Sequence, residues 1–114
     1  MIYLRADVRL AGLKTETLLG MHIADRLCER YNYDVQITSG VEGEHAPKSL
    51  HPVGYAFDFV LIGIKGGTDI LVEYRRIADA LAKALERDFD VVMESQPLHI
   101  HTEYQPKRGY QTID

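Results

Sequence analysis

His51, Asp58, His99 and His101 are residues of metal-ligand type set in segments that otherwise read as β-structure. They fall in "SLHPVGYAFDF", Ser49 to Phe59, and "LHIHTEY", Leu98 to Tyr104. Imidazole nitrogen and carboxylate oxygen are ligands that zinc takes in a tetrahedral shell, and a catalytic site supplies three of them plus a water. His51 and Asp58 are seven residues apart, and Pro52 and Gly54 let the chain turn between them, so both side chains can face one point. In a strand, residues two apart share a face. His99, His101 and Glu103 therefore point one way, and Leu98, Ile100, Thr102 and Tyr104 the other. Asp58 stands between Phe57 and Phe59, where a carboxylate is costly to bury unless it is paired or bound to metal. Taken singly, each residue also has a purely structural reading: a strand histidine satisfied by its neighbours, or an aspartate capping a turn.

The elements that must position these residues are legible from periodicity. "TETLLGMHIADRLCERYN" predicts a helix with Thr15 as its amino-terminal cap and Leu18, Leu19, Ile23, Leu27 and Tyr31 as its apolar stripe. His22 and Asp25 on that helix read as surface or structural residues, and Cys28 as a small buried hydrophobe. "DVQITS", Asp34 to Ser39, alternates as a strand should. "GVEGEHAPKSLHPVG" is a loop by its glycines and prolines, and a loop of that length in a small domain is often functional. It is expected to form one wall of the cleft. "YAFDFVLI" predicts the next strand and "GIKGGTD" a turn, without the lysine or spacing of a phosphate-binding loop. "DILVEYRRIADALAKALERD" predicts a second helix capped by Asp69, with Leu71, Tyr74, Ile77, Ala78, Leu81 and Leu85 buried. "FDVVME" and "LHIHTEY" close the chain as two strands. The order predicts an α+β fold: one small domain over residues 1–114, with a mostly antiparallel sheet and two main helices.

Composition narrows the function classes. The chain has 114 residues, 46% of them hydrophobic, and a formal charge of −4 with both signs interspersed. That suits one globular core and supplies no basic track for nucleic acid. The single cysteine excludes an intrachain disulfide. No apolar run reaches the length of a signal-peptide core or a membrane span, so the reading is a protein that is cytoplasmic as synthesised, with no membrane insertion.

"SLHPVGYAFD" fits the pattern Ser-x-His-x-x-Gly-x-Ala-x-Asp, and "HIH" fits a downstream His-x-His. On these residues the stretch from Ile37 to Tyr104 resembles the zinc D-Ala-D-Ala carboxypeptidases, a family that includes phage endolysin peptidases and, more distantly, the hedgehog signalling domain. The resemblance implies that His51, Asp58 and His101 hold Zn2+, and that His99 lies beside the metal as a catalytic residue. It implies a small α+β fold whose antiparallel sheet carries the metal. The implied activity is cleavage of peptidoglycan stem peptides or cross-links, in a protein of phage or prophage association that reaches the cell wall after release or delivery. In such chemistry the metal acidifies water and polarises the scissile carbonyl, and a carboxylate takes the proton and returns it to the leaving amine.

The sequence departs from that pattern in two places. Leu98 stands three residues before His101, where many members carry the acidic base. Glu94 is then the preferred base, with Glu103 the next nearest carboxylate. Glu42 occupies the place of an arginine in a Ser-Gly-x-Arg segment. Recognition of a substrate carboxylate falls instead to Lys48, Arg108, Arg75 or a residue elsewhere, with His45 and Ser49 as further substrate contacts. The two departures keep an alternative open: a zinc-binding, non-hydrolytic domain that recognises peptide or protein. A metal-free scaffold is a third reading. Metal content and an assay against muropeptides separate the three.

Overall fold

Alternation of apolar and polar residues sorts this chain into a two-layer structure. The computed structural model describes residues 1–42 and 53–105. They form β1 (Ile2–Leu4), α1 (Thr15–Arg30), β2 (Asp34–Ser39), β3 (Ala56–Ile62), α2 (Ile70–Leu85), a short 3-10 turn (Glu86–Asp88), β4 (Phe89–Glu94) and β5 (His99–Tyr104). The strands make one sheet in the order β1-β2-β3-β5-β4. Only the β1–β2 pairing is parallel; β2–β3, β3–β5 and β4–β5 are antiparallel. The fold is thus α+β with a mostly antiparallel sheet and two helices.

Both helices cover one face. Val35, Ile37, Phe57, Phe59, Leu61 and Ile100 are buried on the helix side of the sheet, in one cluster with Met21, Ala24 and Leu27 of α1 and Tyr74, Ile77 and Leu81 of α2. Period-two geometry then puts Asp58, His99, His101 and Glu103 on the opposite, open face. Asp69 caps α2 as expected, its carboxylate accepting from Val72 N at 3.2 Å. Cys28 is fully buried, as read from its pattern.

Four local expectations are corrected. Thr15 is the first helical residue of α1, and the cap position is Lys14, which makes no side-chain cap. The buried side of α1 is Thr17, Gly20, Met21, Ala24, Leu27 and Cys28, whereas Leu18 and Leu19 are exposed. Packing turns the helix this way: a Cβ on Gly20 would lie 2.9 Å from the Phe89 ring, so that ring takes the space a larger side chain would need. Leu71, in the first turn of α2, is exposed as well. β1 was not anticipated, because three residues are too few to establish alternation. Asp25 behaves as a structural residue, with Oδ1 2.9 Å from the amino-terminal nitrogen, and His22 is exposed.

Candidate metal centre

Strand register brings the candidate residues together. Asp58 on β3 lies directly opposite His101 on β5, and His101 lies opposite Val92 on β4. Glu94 lies opposite His99, and Glu103 pairs with Ala56 on one side and Asp90 on the other. Six ionisable side chains from three adjacent strands therefore share the open face.

His101 is held between two carboxylates. Its Nδ1 is 2.7 Å from Asp58 Oδ1 and its Nε2 is 2.7 Å from Glu103 Oε1. Ionised carboxylates only accept, so both ring nitrogens donate and the ring is an imidazolium. Burial opposes that charge, but the hydrogen bonds to Asp58 and Glu103 outweigh it and lift the His101 pKa from 6.5 to about 9. Gln105, with its amide nitrogen turned inward, donates to Glu103 Oε2 at 3.0 Å and to Asp90 Oδ2 at 2.8 Å, which holds Glu103 in place.

His99 forms a second pair. Its Nδ1 is 2.7 Å from the Pro97 carbonyl oxygen and its Nε2 is 2.9 Å from Glu94 Oε1. The carbonyl can only accept, so Nδ1 carries a proton and Nε2 is the nitrogen that faces Glu94. The same Nε2 is 3.9 Å from Asp58 Oδ2, so Asp58 stands between the two imidazoles.

The described side chains are of the donor types that a divalent cation such as zinc takes. They offer imidazole nitrogen and carboxylate oxygen, with an excess of negative charge. The bond from His101 Nε2 to Glu103 is the outer contact that ligating histidines usually make, since it fixes the ring and leaves the other nitrogen for the metal. Replacing the Nδ1 proton by a cation held jointly with Asp58 would leave that contact intact. Among the described residues alone, no three such side chains are arranged to hold an ion. The expected third ligand, His51, lies outside the described residues, as do His45, Lys48, Ser49 and Arg108 and most of the expected cleft wall.

The turn that leads from His51 into β3 is firmly tied. Gly54 O accepts from Lys14 N at 2.9 Å and from the buried Thr17 hydroxyl at 2.8 Å. Gly54 has φ +85°, and a Cβ there would lie 2.1 Å from Gly12 O, so only glycine fits. Tyr104 N donates to Tyr55 O at 2.8 Å, which joins the same turn to the end of β5.

Glu42 has a structural role that its position in the sequence concealed. Its carboxylate accepts from Arg9 N at 3.0 Å and from Gly40 N at 2.8 Å. Burial raises its pKa, but hydrogen bonds from the backbone of Arg9, Glu42 itself and Gly40 and from the Ser39 hydroxyl prevail and hold the carboxyl below its ordinary value. An arginine here would leave these N–H groups without their acceptor. Sequence reading also missed Arg5, which the parallel β1–β2 pairing brings to the rim of the cleft beside Asp58 and His99. Its only advance signal was the run Arg5, Asp7, Arg9 near the amino terminus. Among the described residues no helix is long and apolar enough to cross a membrane. Neither a family model nor a curated protein matches the chain.

Proposed function

We propose that this protein is a zinc-dependent peptidase that hydrolyses peptidoglycan stem peptides or their cross-links, of the carboxypeptidase or phage endolysin type. The observation that carries the reading is the convergence on Asp58 of two imidazole–carboxylate pairs, His101–Glu103 and His99–Glu94, from neighbouring strands. Asp58 and His101 would hold the metal together with His51. When bound, the metal supplies Lewis acidity towards water and the scissile carbonyl.

The two pairs divide the remaining work. Glu103 orients His101 and keeps its ring from rotating away. In the His99–Glu94 pair, Nδ1–H is committed to Pro97 O, so without a shared proton the Nε2 lone pair would face the Glu94 carboxylate. Hydrolysis forms a bond from the water oxygen to the carbonyl carbon and breaks the C–N bond. Glu94 Oε1 accepts the water's proton, His99 Nε2 stabilises it there, and it passes to the leaving nitrogen. Glu94 is half exposed, within reach of a ligand on the open face. It thereby fills the role for which Leu98 is unsuited.

The test combines zinc content with single-turnover cleavage of a cross-linked stem peptide, on protein purified without a metal-affinity tag. The reading expects about one zinc per chain. It also expects Glu94→Gln to retain zinc and to lose about a hundredfold or more in rate, the usual scale for a general base. Zinc-loaded protein that cleaves no muropeptide would transfer the site to a non-hydrolytic recognition domain. Protein that takes up no zinc on reconstitution would reduce the cluster to a structural ion network.

A further inference from the structure

The chain passes from β3 into α2 through an apolar tip. Ile70, Leu71 and Val72, the first three residues of α2, are 50%, 58% and 57% exposed. The helix is anchored without them, by Tyr74, Ile77, Ala78, Leu81 and Leu85. At 3.6 residues per turn, three consecutive side chains spread over about 200° of the helix circumference. A protein partner covers one stripe of a helix, in the i, i+3, i+4 pattern. A surrounding apolar medium covers all three side chains at once. The turn before them stands clear of the molecule: a Cβ on Gly66 or Gly67 would meet nothing within 4 Å beyond its chain neighbours.

Behind the tip the surface becomes cationic and aromatic. Arg75 follows Leu71 by four residues and Val72 by three, so it stands over both. The Arg76 guanidinium lies 4.5 Å from the centroid of the Tyr31 ring and pairs with Glu73 at 3.3 Å. Glu73 also accepts from the Tyr33 hydroxyl at 2.6 Å. Lys65, on the turn itself, lines a cleft of about 170 Å³ with Tyr31 and Tyr33. Asp69 is engaged as the helix cap and Glu73 by Arg76, whereas Lys65 and Arg75 make no ion pair among the described residues. Three cations against two carboxylates leave residues 63–76 positive, in a chain whose formal charge is −4. At a rise of about 1.5 Å per residue, Arg75 and Arg76 stand roughly 7–9 Å behind Ile70. An interfacial helix buries its apolar side to about that depth, with basic side chains and tyrosines at the headgroup level.

We infer that the β3–α2 turn is a peripheral docking tip for a bilayer containing anionic lipid. Ile70, Leu71 and Val72 enter the acyl boundary, and Lys65 and Arg75 meet the lipid phosphates. The contact is confined to one helical turn and spans nothing. Asp58 lies on the same strand that leads to the tip but on the face away from the helices, so docking leaves the candidate metal centre open. The inference stands on the α2 surface and is independent of the peptidase reading.

The test is co-sedimentation of the full chain with vesicles of phosphatidylcholine alone and of phosphatidylcholine and phosphatidylglycerol in equal parts. Anionic vesicles should bind about tenfold or more tighter, since each unpaired cation contributes about fivefold. Leu71→Ser with Val72→Ser should weaken that binding by about tenfold or more. Lys65→Gln with Arg75→Gln should bring the two vesicle types within about twofold of one another. All four positions are exposed, so unchanged melting temperatures are the control. The chain contains no tryptophan, so Leu71→Trp places a single indole at the tip. Its emission should shift to the blue on anionic vesicles, whereas that of Ala84→Trp, about 20 Å farther along the helix, should not. No binding to anionic vesicles, equal binding to both kinds, binding that survives Leu71→Ser with Val72→Ser, or equal shifts at positions 71 and 84 would overturn the inference. If no vesicle binds and the native chain forms a dimer that the same two serine substitutions dissolve, the tip is a contact between copies and the lipid inference falls.

Discussion

Raising the pH should destabilise the metal-free protein and strengthen its hold on zinc, because one proton on His101 governs both. The His101 pKa is about 9 in the folded chain against 6.5 for an ordinary histidine. The folded state binds that proton more tightly, so its stabilisation is complete below pH 6.5 and is lost as pH rises through 9. At 1.36 kcal/mol per pKa unit the full contribution is about 3 kcal/mol. It falls to about 2 kcal/mol at pH 7.5 and nearly to zero by pH 9.5. The triad of Asp58, His101 and Glu103 is only 17%, 16% and 21% exposed, so solvent screening takes a small share of this. The assay is urea unfolding in chelator between pH 6 and 9.5, on the native chain and on His101→Gln. The stability difference between the two should shrink by about 3 kcal/mol over that range, and Glu103→Gln should shrink it by roughly half as much, since one of the two carboxylate partners remains. Zinc affinity should run the other way and rise by about tenfold per pH unit between 7 and 8, as the Nδ1 proton is displaced. Parallel stability curves for the native and His101→Gln proteins, or a His101 ring titrating near its ordinary value by NMR, would refute the reasoning.

Two buried threonines should respond in opposite directions. Thr17→Val removes the hydroxyl bond to Gly54 O and should cost about 1 kcal/mol in chemical denaturation, with weaker zinc binding because Gly54 lies three residues beyond His51. Thr102 is fully buried, and its hydroxyl has no hydrogen-bond partner among the described residues, so Thr102→Val should raise the unfolding free energy by up to about 1 kcal/mol. Burial pushes the Cys28 thiol up to about 12, with Asp25 adding to the effect, so it should resist a disulfide reagent at pH 8 until the protein is denatured. Stoichiometric labelling of the native fold within minutes would contradict that burial.

Local chemistry alone determined much of this protein. The strands Asp34–Ser39 and Phe89–Glu94 and the Asp69 cap follow from alternation and capping, which act between residues close in sequence. The shared face of His99, His101 and Glu103 follows from the period of a strand and could be read in advance for the same reason. Tertiary structure decided what those residues meet. Asp58 reaches His101 across 43 positions only through the β3–β5 register. Whether Glu94 or Glu103 bonds His99 depended on how β4 turns into β5, and the answer divided the two carboxylates between the two histidines. The buried side of α1 was set by the Phe89 ring and Gly54 O, which no periodicity within the helix encodes. β1 escaped notice because a three-residue strand has no pattern of its own and exists through its parallel pairing with β2. Arg5 escaped with it: its place beside Asp58 comes from that pairing and from Glu42, whose carboxylate answers the backbone N–H of Arg9, 33 residues away in sequence.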